Sequence, residues 1–242
     1  MALKAFVDFD GTITRADVGN SFFLTFGGPV CEKIVEEYQS GKITAQECFR
    51  RELAEIGTID RRAVDAFIGE QEIDPSFPRF VQFCRAQGIP CSIVSDGLDH
   101  YIARILEANG VAGVPFFSNV LRLSPPDAHG RSIPTLEFPY PDTDCGTCAC
   151  CKRNIIVTHA GDDDIIVYVG EGYSDQCPVR YADIVFAKDS LQAYCQRENI
   201  SYHLYRTFDD VVARLEELIA RKRIRKRRRA EALRRELFIS EP

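Results

Sequence analysis

Four short apolar runs constrain this 242-residue chain more than any other feature: residues 4–9, 91–95, 165–170 and 184–187. Each is only a few residues long, lacks strict alternation and gives way to polar or acidic residues, the pattern of a strand buried on both faces. Helix-length segments separate them. Strands that alternate with helices define βαβ units and a mainly parallel sheet, so the predicted fold class is α/β, a doubly wound core.

The intervening segments divide the chain further. From Asp17 to about Gly69 the pattern is helical. Thr44 with Glu47 three residues on is a capping-box signature, and Phe49, Leu53 and Ile56 follow at helix spacing. Residues 76–87 form a second helical pattern stopped by Gly88, and residues 100–109 a third, with Gly110 as its cap. Residues 114–140 alternate loosely and hold five prolines, which predicts hairpin strands. The expected organisation is a core at 1–13 and 76–218, a helical cap at 14–75, a small β-rich insertion at about 115–145 that runs into a cysteine cluster by 150, and a basic extension at 219–242.

Composition excludes several classes. No run approaches the ~18 apolar residues of a membrane span. Asp8 interrupts the first apolar run too early for a secretory leader. Ten cysteines in a chain of this length are too sparse for a disulfide scaffold, so reduced thiols and a cytoplasmic location are expected. Residues 219–242 carry ten Lys/Arg against three Glu, while the rest of the chain has 20 basic against 33 acidic residues. A body this acidic binds nucleic acid poorly. Any contact with RNA, acidic lipid or a neighbouring subunit therefore falls to 221–229, where eight of nine residues are basic; the alternative is a solvated helical extension of the amphipathic stretch 211–219.

Polar chemistry gathers just after the predicted strands: Asp8-Phe9-Asp10-Gly11-Thr12, then Ser95-Asp96-Gly97, then Lys152, then Glu171-Gly172-Tyr173-Ser174-Asp175. In an open parallel sheet, ligands bind beyond the carboxyl ends of the strands, so these loops should converge. Asp8-x-Asp10 alone is ordinary turn chemistry, and the later Glu of a calcium loop is missing. Five oxygen-bearing or cationic side chains at strand ends are hard to explain as packing.

Together these segments resemble the haloacid-dehalogenase superfamily of phosphatases and phosphotransferases. Asp8-Phe9-Asp10-Gly11-Thr12-Ile13-Thr14 is similar to its first motif, Val94-Ser95-Asp96-Gly97 to the second, Lys152 to the third and 169–175 to the fourth. The helical insertion between the first two motifs resembles the phosphoserine-phosphatase-like branch. Cys151-Lys152 and Asp175-Gln-Cys-Pro178 narrow the resemblance to the group of 2-hydroxy-3-keto-5-methylthiopentenyl-1-phosphate phosphatases of methionine salvage. A phosphocholine/phosphoethanolamine phosphatase is more distantly similar.

The resemblance implies a Rossmann-like core and hydrolysis of a small phosphorylated metabolite. Asp8 would be the nucleophile and Asp10 the general acid and base. Ser95 and Lys152 would bind phosphoryl oxygens, with Phe9, Thr12, Asp96 and Gly97 completing the phosphate site. Asp8, the Asp10 carbonyl, Glu171 and Asp175 would hold Mg²⁺, a hard ion that prefers oxygen ligands. Glu171 departs from the usual Asp of the fourth motif. The competing readings are a phosphoserine- or phosphocholine-type substrate, and a weakly catalytic fold that binds nucleic acid through its tail.

Two features lie outside those motifs. Cys145, Cys148, Cys150 and Cys151 place four thiols in seven residues, with the softness and part of the spacing for Zn²⁺; a family-specific loop of reduced thiols is the other reading. Of four scattered histidines, only His100 is near a motif, and it is a candidate to line the substrate pocket.

Overall fold

The structure, a computed structural model, describes residues 2–142, 146–222 and 224–239. Strands β1 (Leu3–Val7), β3 (Cys91–Leu98), β4 (Phe116–Leu123), β6 (Pro134–Glu137), β7 (Ile165–Gly170), β8 (Ile184–Ala187) and β9 (His203–Leu204) form one sheet in the order β6-β4-β3-β1-β7-β8-β9. Every neighbouring pair is parallel except β4 and β6. Alternate side chains of a strand point to opposite faces. Accordingly Ala5, Val7, Ile93, Val167 and Val169 join one apolar cluster, with α5 (Phe77–Ala86), α6 (Asp99–Ala108) and α9 (Phe208–Ala220). Phe6, Val94, Ile166, Tyr168 and Val185 join the other, with α7 (Lys152–Thr158) and α8 (Asp189–Arg197). This is the doubly wound core expected from the apolar runs.

Strand order reverses at β1, which has β3 on one side and β7 on the other. Such a switch point opens a crevice at the carboxyl edge. Three helices cover it, α1 (Val18–Gly27), α2 (Val30–Gln39) and α3 (Ala45–Ile56), and α4 (Arg61–Gly69) packs beside them on α6. Thr44 caps α3 as its spacing predicted, its hydroxyl accepting the Glu47 N–H at 3.2 Å. Phe22, Phe23, Phe26, Phe49 and Phe67 form the aromatic packing inside this cap.

The segment expected as a β-rich insertion forms strands but does not stand apart. β4 pairs in parallel with β3 because Phe116–Leu123 is apolar enough to be a sheet member in its own right. Only the return is peripheral: β5 (Arg131–Ser132) pairs antiparallel with β2 (Ile59–Asp60) at the base of the cap. Arg61 reinforces that joint by donating to Ser132 Oγ at 2.9 Å and to the Ser124 carbonyl at 2.7 Å.

The basic extension is only in part the solvated helix that its charge suggested: Arg221, Lys222, Arg225, Arg228 and Arg229 are exposed, but the chain beyond them packs on the body. α10 (Arg228–Ile239) lies on the second face of the sheet, with Ala230 fully buried and Leu233 and Leu237 against the apolar cluster. Arg227 donates to the carbonyls of Val179, Arg180 and Ala182 at 2.5, 2.8 and 3.0 Å. Arg234 pairs with buried Asp183 at 3.1 Å. Partners inside the chain therefore occupy part of the basic run. Among the described residues, no helix is long and apolar enough to cross a membrane.

Candidate active site

The four polar segments meet at the carboxyl edge, around a cavity of about 330 Å³ between core and cap. Asp8 follows β1 directly, and the loop after it closes through the Phe9 carbonyl, which accepts the N–H groups of Ile13 and Thr14 at 2.9 and 3.1 Å. Gly11 turns that loop with φ +69°, and a Cβ there would stand 3.2 Å from the Glu171 carboxylate. Glycine thus serves both the turn and the close approach of Glu171. Asp8 and Asp10 line the cavity, whereas Phe9, between them, is fully buried in the core against Tyr101. Any contact of Phe9 with phosphate is therefore left to its main chain, because side chains alternate along extended backbone and its ring turns into the core.

On the floor, polar groups are densely paired. The Lys152 ammonium, 2% exposed, donates to Asp8 Oδ1, Ser174 Oγ and Asp175 Oδ1 at 2.7, 2.7 and 2.8 Å. Thr12 donates to the other Asp8 oxygen at 3.3 Å, which makes it a support for Asp8. Burial lowers the pKa of Lys152, but Asp175 and Asp8 outweigh it and hold the ammonium charged. Burial, with Asp175 close by, raises the Asp8 carboxyl well above its usual range, since one lysine cannot neutralise two acids.

Asp10 is held from three elements. It accepts from Ser95 Oγ at 3.1 Å, from the Gly19 N–H at 3.1 Å and from the Tyr101 hydroxyl at 3.0 Å. Burial, then the charge of Asp17, raises it to about 7. Ser95 also accepts the Gly97 N–H at 2.8 Å. A Cβ on Gly97 would fall 2.1 Å from the Tyr101 hydroxyl and 2.4 Å from Asp10, so only glycine allows this convergence. Asp96 borders the cavity and accepts the Cys150 N–H at 2.9 Å.

Asp175 does not face the cavity. Its oxygens accept from Lys152, from the Tyr168 hydroxyl at 2.6 Å and from the N–H groups of Glu171 and Gly172 at 2.9 and 3.1 Å. Four donors fill its acceptor sites, so the structure gives Asp175 to lysine positioning where the sequence suggested a metal ligand. Glu171 does line the cavity, its carboxyl raised to about 7 by burial and by Asp175.

The donor set fits Mg²⁺. Asp8 and Glu171 present carboxylates to the same cavity, and surplus acid with one committed lysine is the environment that a divalent cation relieves. Among the described residues no three His, Cys, Asp or Glu side chains form a ready-made cage. Mg²⁺ needs none, because it takes one or two carboxylates and completes its shell with water and phosphate oxygens. The zinc expectation fares differently. Cys150 packs in the core, whereas the Cys151 thiol turns to Cys148 and to Asp142 at 3.5 Å, so Cys150 and Cys151 diverge; Cys145 lies outside the described residues.

Sequence reasoning missed Tyr101, Tyr168, Ser174 and Asp17, which borders the cavity as the cap of α1. His100, proposed as a pocket residue, is not in the lining; its neighbour Tyr101 makes the contact with Asp10.

Residues 5–177 match the haloacid dehalogenase-like hydrolase family, and the chain belongs to it. It is 29% identical over 222 residues to a 2-hydroxy-3-keto-5-methylthiopentenyl-1-phosphate phosphatase of Bacillus mycoides, covering 90% of this chain and 98% of that one. A protein of the same name from Brevibacillus brevis is 29% identical over 219 residues, or 89% and 96%. In fold the chain is similar to a phosphoserine phosphatase solved as a phospho-aspartyl intermediate analogue, with a TM-score of 0.64 and 17% identity over 93% of this chain and all of that one.

Proposed function

We propose that this hydrolase is a Mg²⁺-dependent phosphatase of small phosphomonoesters that works through an aspartyl-phosphate on Asp8. The observation that carries the reading is the pairing of a lysine-held Asp8 with an independently held Asp10 in one cavity. An Asp8 oxygen attacks phosphorus as the ester P–O bond breaks, and Asp10 gives its proton to the departing alkoxide. Asp10 then takes a proton from water, whose oxygen attacks the phospho-enzyme and releases phosphate and free Asp8. A group raised to about 7 suits both halves of this exchange near neutral pH. Lys152 orients Asp8 and offsets its charge. Bound Mg²⁺, held by Asp8, Glu171 and the Asp10 carbonyl, would neutralise phosphoryl charge.

The printed name of the relatives supports a methionine-salvage enol-phosphate as substrate. The reading includes a cytoplasmic setting, where the thiols stay reduced. Purified protein should turn over p-nitrophenyl phosphate with Mg²⁺ and lose that activity to a chelator. Turnover that is absent with Mg²⁺, or undiminished after chelation, overturns the proposal.

A further inference from the structure

The roof of the cavity carries an acid that the chemistry above does not use. Glu52 on α3 is 3% exposed and borders the cavity with Phe23, Tyr38, Cys48 and Phe49. Its Oε2 accepts a long bond from the Cys48 thiol at 3.6 Å, while its Oε1 is buried with no hydrogen-bond partner among the described residues. Buried acceptors are normally satisfied, so an unpartnered one on a side chain that borders a cavity points to a ligand. Packing does not require an acid here: Glu47 and Glu55 on the same helix face solvent, and Glu52 lies on the buried stripe with Cys48 and Ile56.

The rest of the lining narrows the ligand. Asp8, Asp10, Asp17, Glu52, Asp96 and Glu171 all border the cavity, and no Lys or Arg is among its described lining residues. Lys152 lies beneath them, committed to Asp8, Ser174 and Asp175. A leaving group that carries a carboxylate would meet acids with no cation to receive it. One that carries a hydrogen-bond donor would find an acceptor already desolvated.

We infer that Glu52 is a specificity-determining residue whose open carboxylate oxygen receives a hydrogen-bond donor, an ammonium or a hydroxyl, on the leaving group of a phosphomonoester that bears no carboxylate. The inference rests on the phosphatase reading and names its substrate class. The site thereby separates two kinds of selection: Asp8 and Lys152 act on the phosphoryl group, and Glu52 acts on what the phosphoryl group leaves.

The test measures kcat and KM of the full chain with Mg²⁺ on phosphoethanolamine, glycerol phosphate, propyl phosphate and phosphoserine. In the wild type, phosphoethanolamine and glycerol phosphate should both exceed propyl phosphate, which has no donor, and phosphoserine, which adds a carboxylate to its ammonium, should fall at least tenfold below phosphoethanolamine in kcat/KM. Glu52→Leu should lower the ratio of donor-bearing ester to propyl phosphate at least tenfold, chiefly through KM. Loss confined to phosphoethanolamine identifies the donor as an ammonium, and loss confined to glycerol phosphate identifies a hydroxyl. An unchanged ratio overturns the assignment. So does a wild type that prefers phosphoserine, a result that stands even if the variant fails to fold. Inactivity on all four esters and on p-nitrophenyl phosphate overturns the phosphatase reading, and this inference with it.

Discussion

Floor and roof of the cavity treat buried polar groups in opposite ways. On the floor, Asp8 is bonded by Lys152 and Thr12, and Asp175 by four donors. On the roof, Glu52 keeps one oxygen without a partner among the described residues. A satisfied network is rigid and holds its members in one geometry, which suits chemistry common to every phosphomonoester. An unsatisfied group costs stability until something fills it, which suits a contact that only some leaving groups can make. The floor is built from strand-end loops and α7 and the roof from α1, α2 and α3, so under the proposal above reaction and selection occupy different parts of the chain.

The largest test breaks the floor. Asp8→Asn keeps an oxygen that can accept from Lys152, so the fold should survive. An amide cannot form the phospho-enzyme, and turnover of p-nitrophenyl phosphate should fall by several orders of magnitude. A purified variant that retains a tenth of wild-type turnover would place the nucleophile elsewhere.

A second test asks whether a satisfied, half-buried cation remote from the cavity contributes to stability alone. Arg227 meets three carbonyls and, through its N–H, Asp183. Arg227→Ala strands those carbonyls and should cost about 2–4 kcal/mol, read as a lower Tm with turnover nearly unchanged. An unaltered Tm would return the tail to the solvated state that its charge suggested.

The floor was legible in the sequence because its residues sit where strands end. Asp8, Asp10, Ser95 and Glu171 each follow an apolar run, and a parallel sheet brings such positions together whatever the loops do. Tyr168 was hidden because a tyrosine within Ile-Ile-Val-Tyr-Val reads as one more buried strand residue, and only the register reveals its hydroxyl on Asp175. Tyr101 was passed over for His100 because spacing alone does not choose which helix face meets Asp10. Counting charges misjudged the tail, since a count cannot distinguish an arginine in water from one that grips carbonyls. Glu52 did leave a readable trace. It falls four residues after Cys48 and four before Ile56, an acid on an apolar stripe, which is the anomaly that marks a buried charge.

The smallest effect is on stability, and it tests the roof directly. Burial raises the Glu52 carboxyl from 4.5 to about 7. A folded-state pKa above the unfolded value means that the folded chain holds the proton more tightly, so stability falls as pH climbs between the two values. The cost is small near pH 4.5, grows through pH 7 and is constant above it. Glu52→Gln cannot titrate there and preserves the shape of the side chain. Its Tm should match the wild type near pH 5 and exceed it by a few degrees at pH 8, equivalent to on the order of 2 kcal/mol. The sign distinguishes this from an ordinary loss of packing, which would lower Tm at both pH values. A variant no more stable than the wild type at pH 8 would mean that Oε1 has a partner in solution, and the contrast between floor and roof would lose its basis.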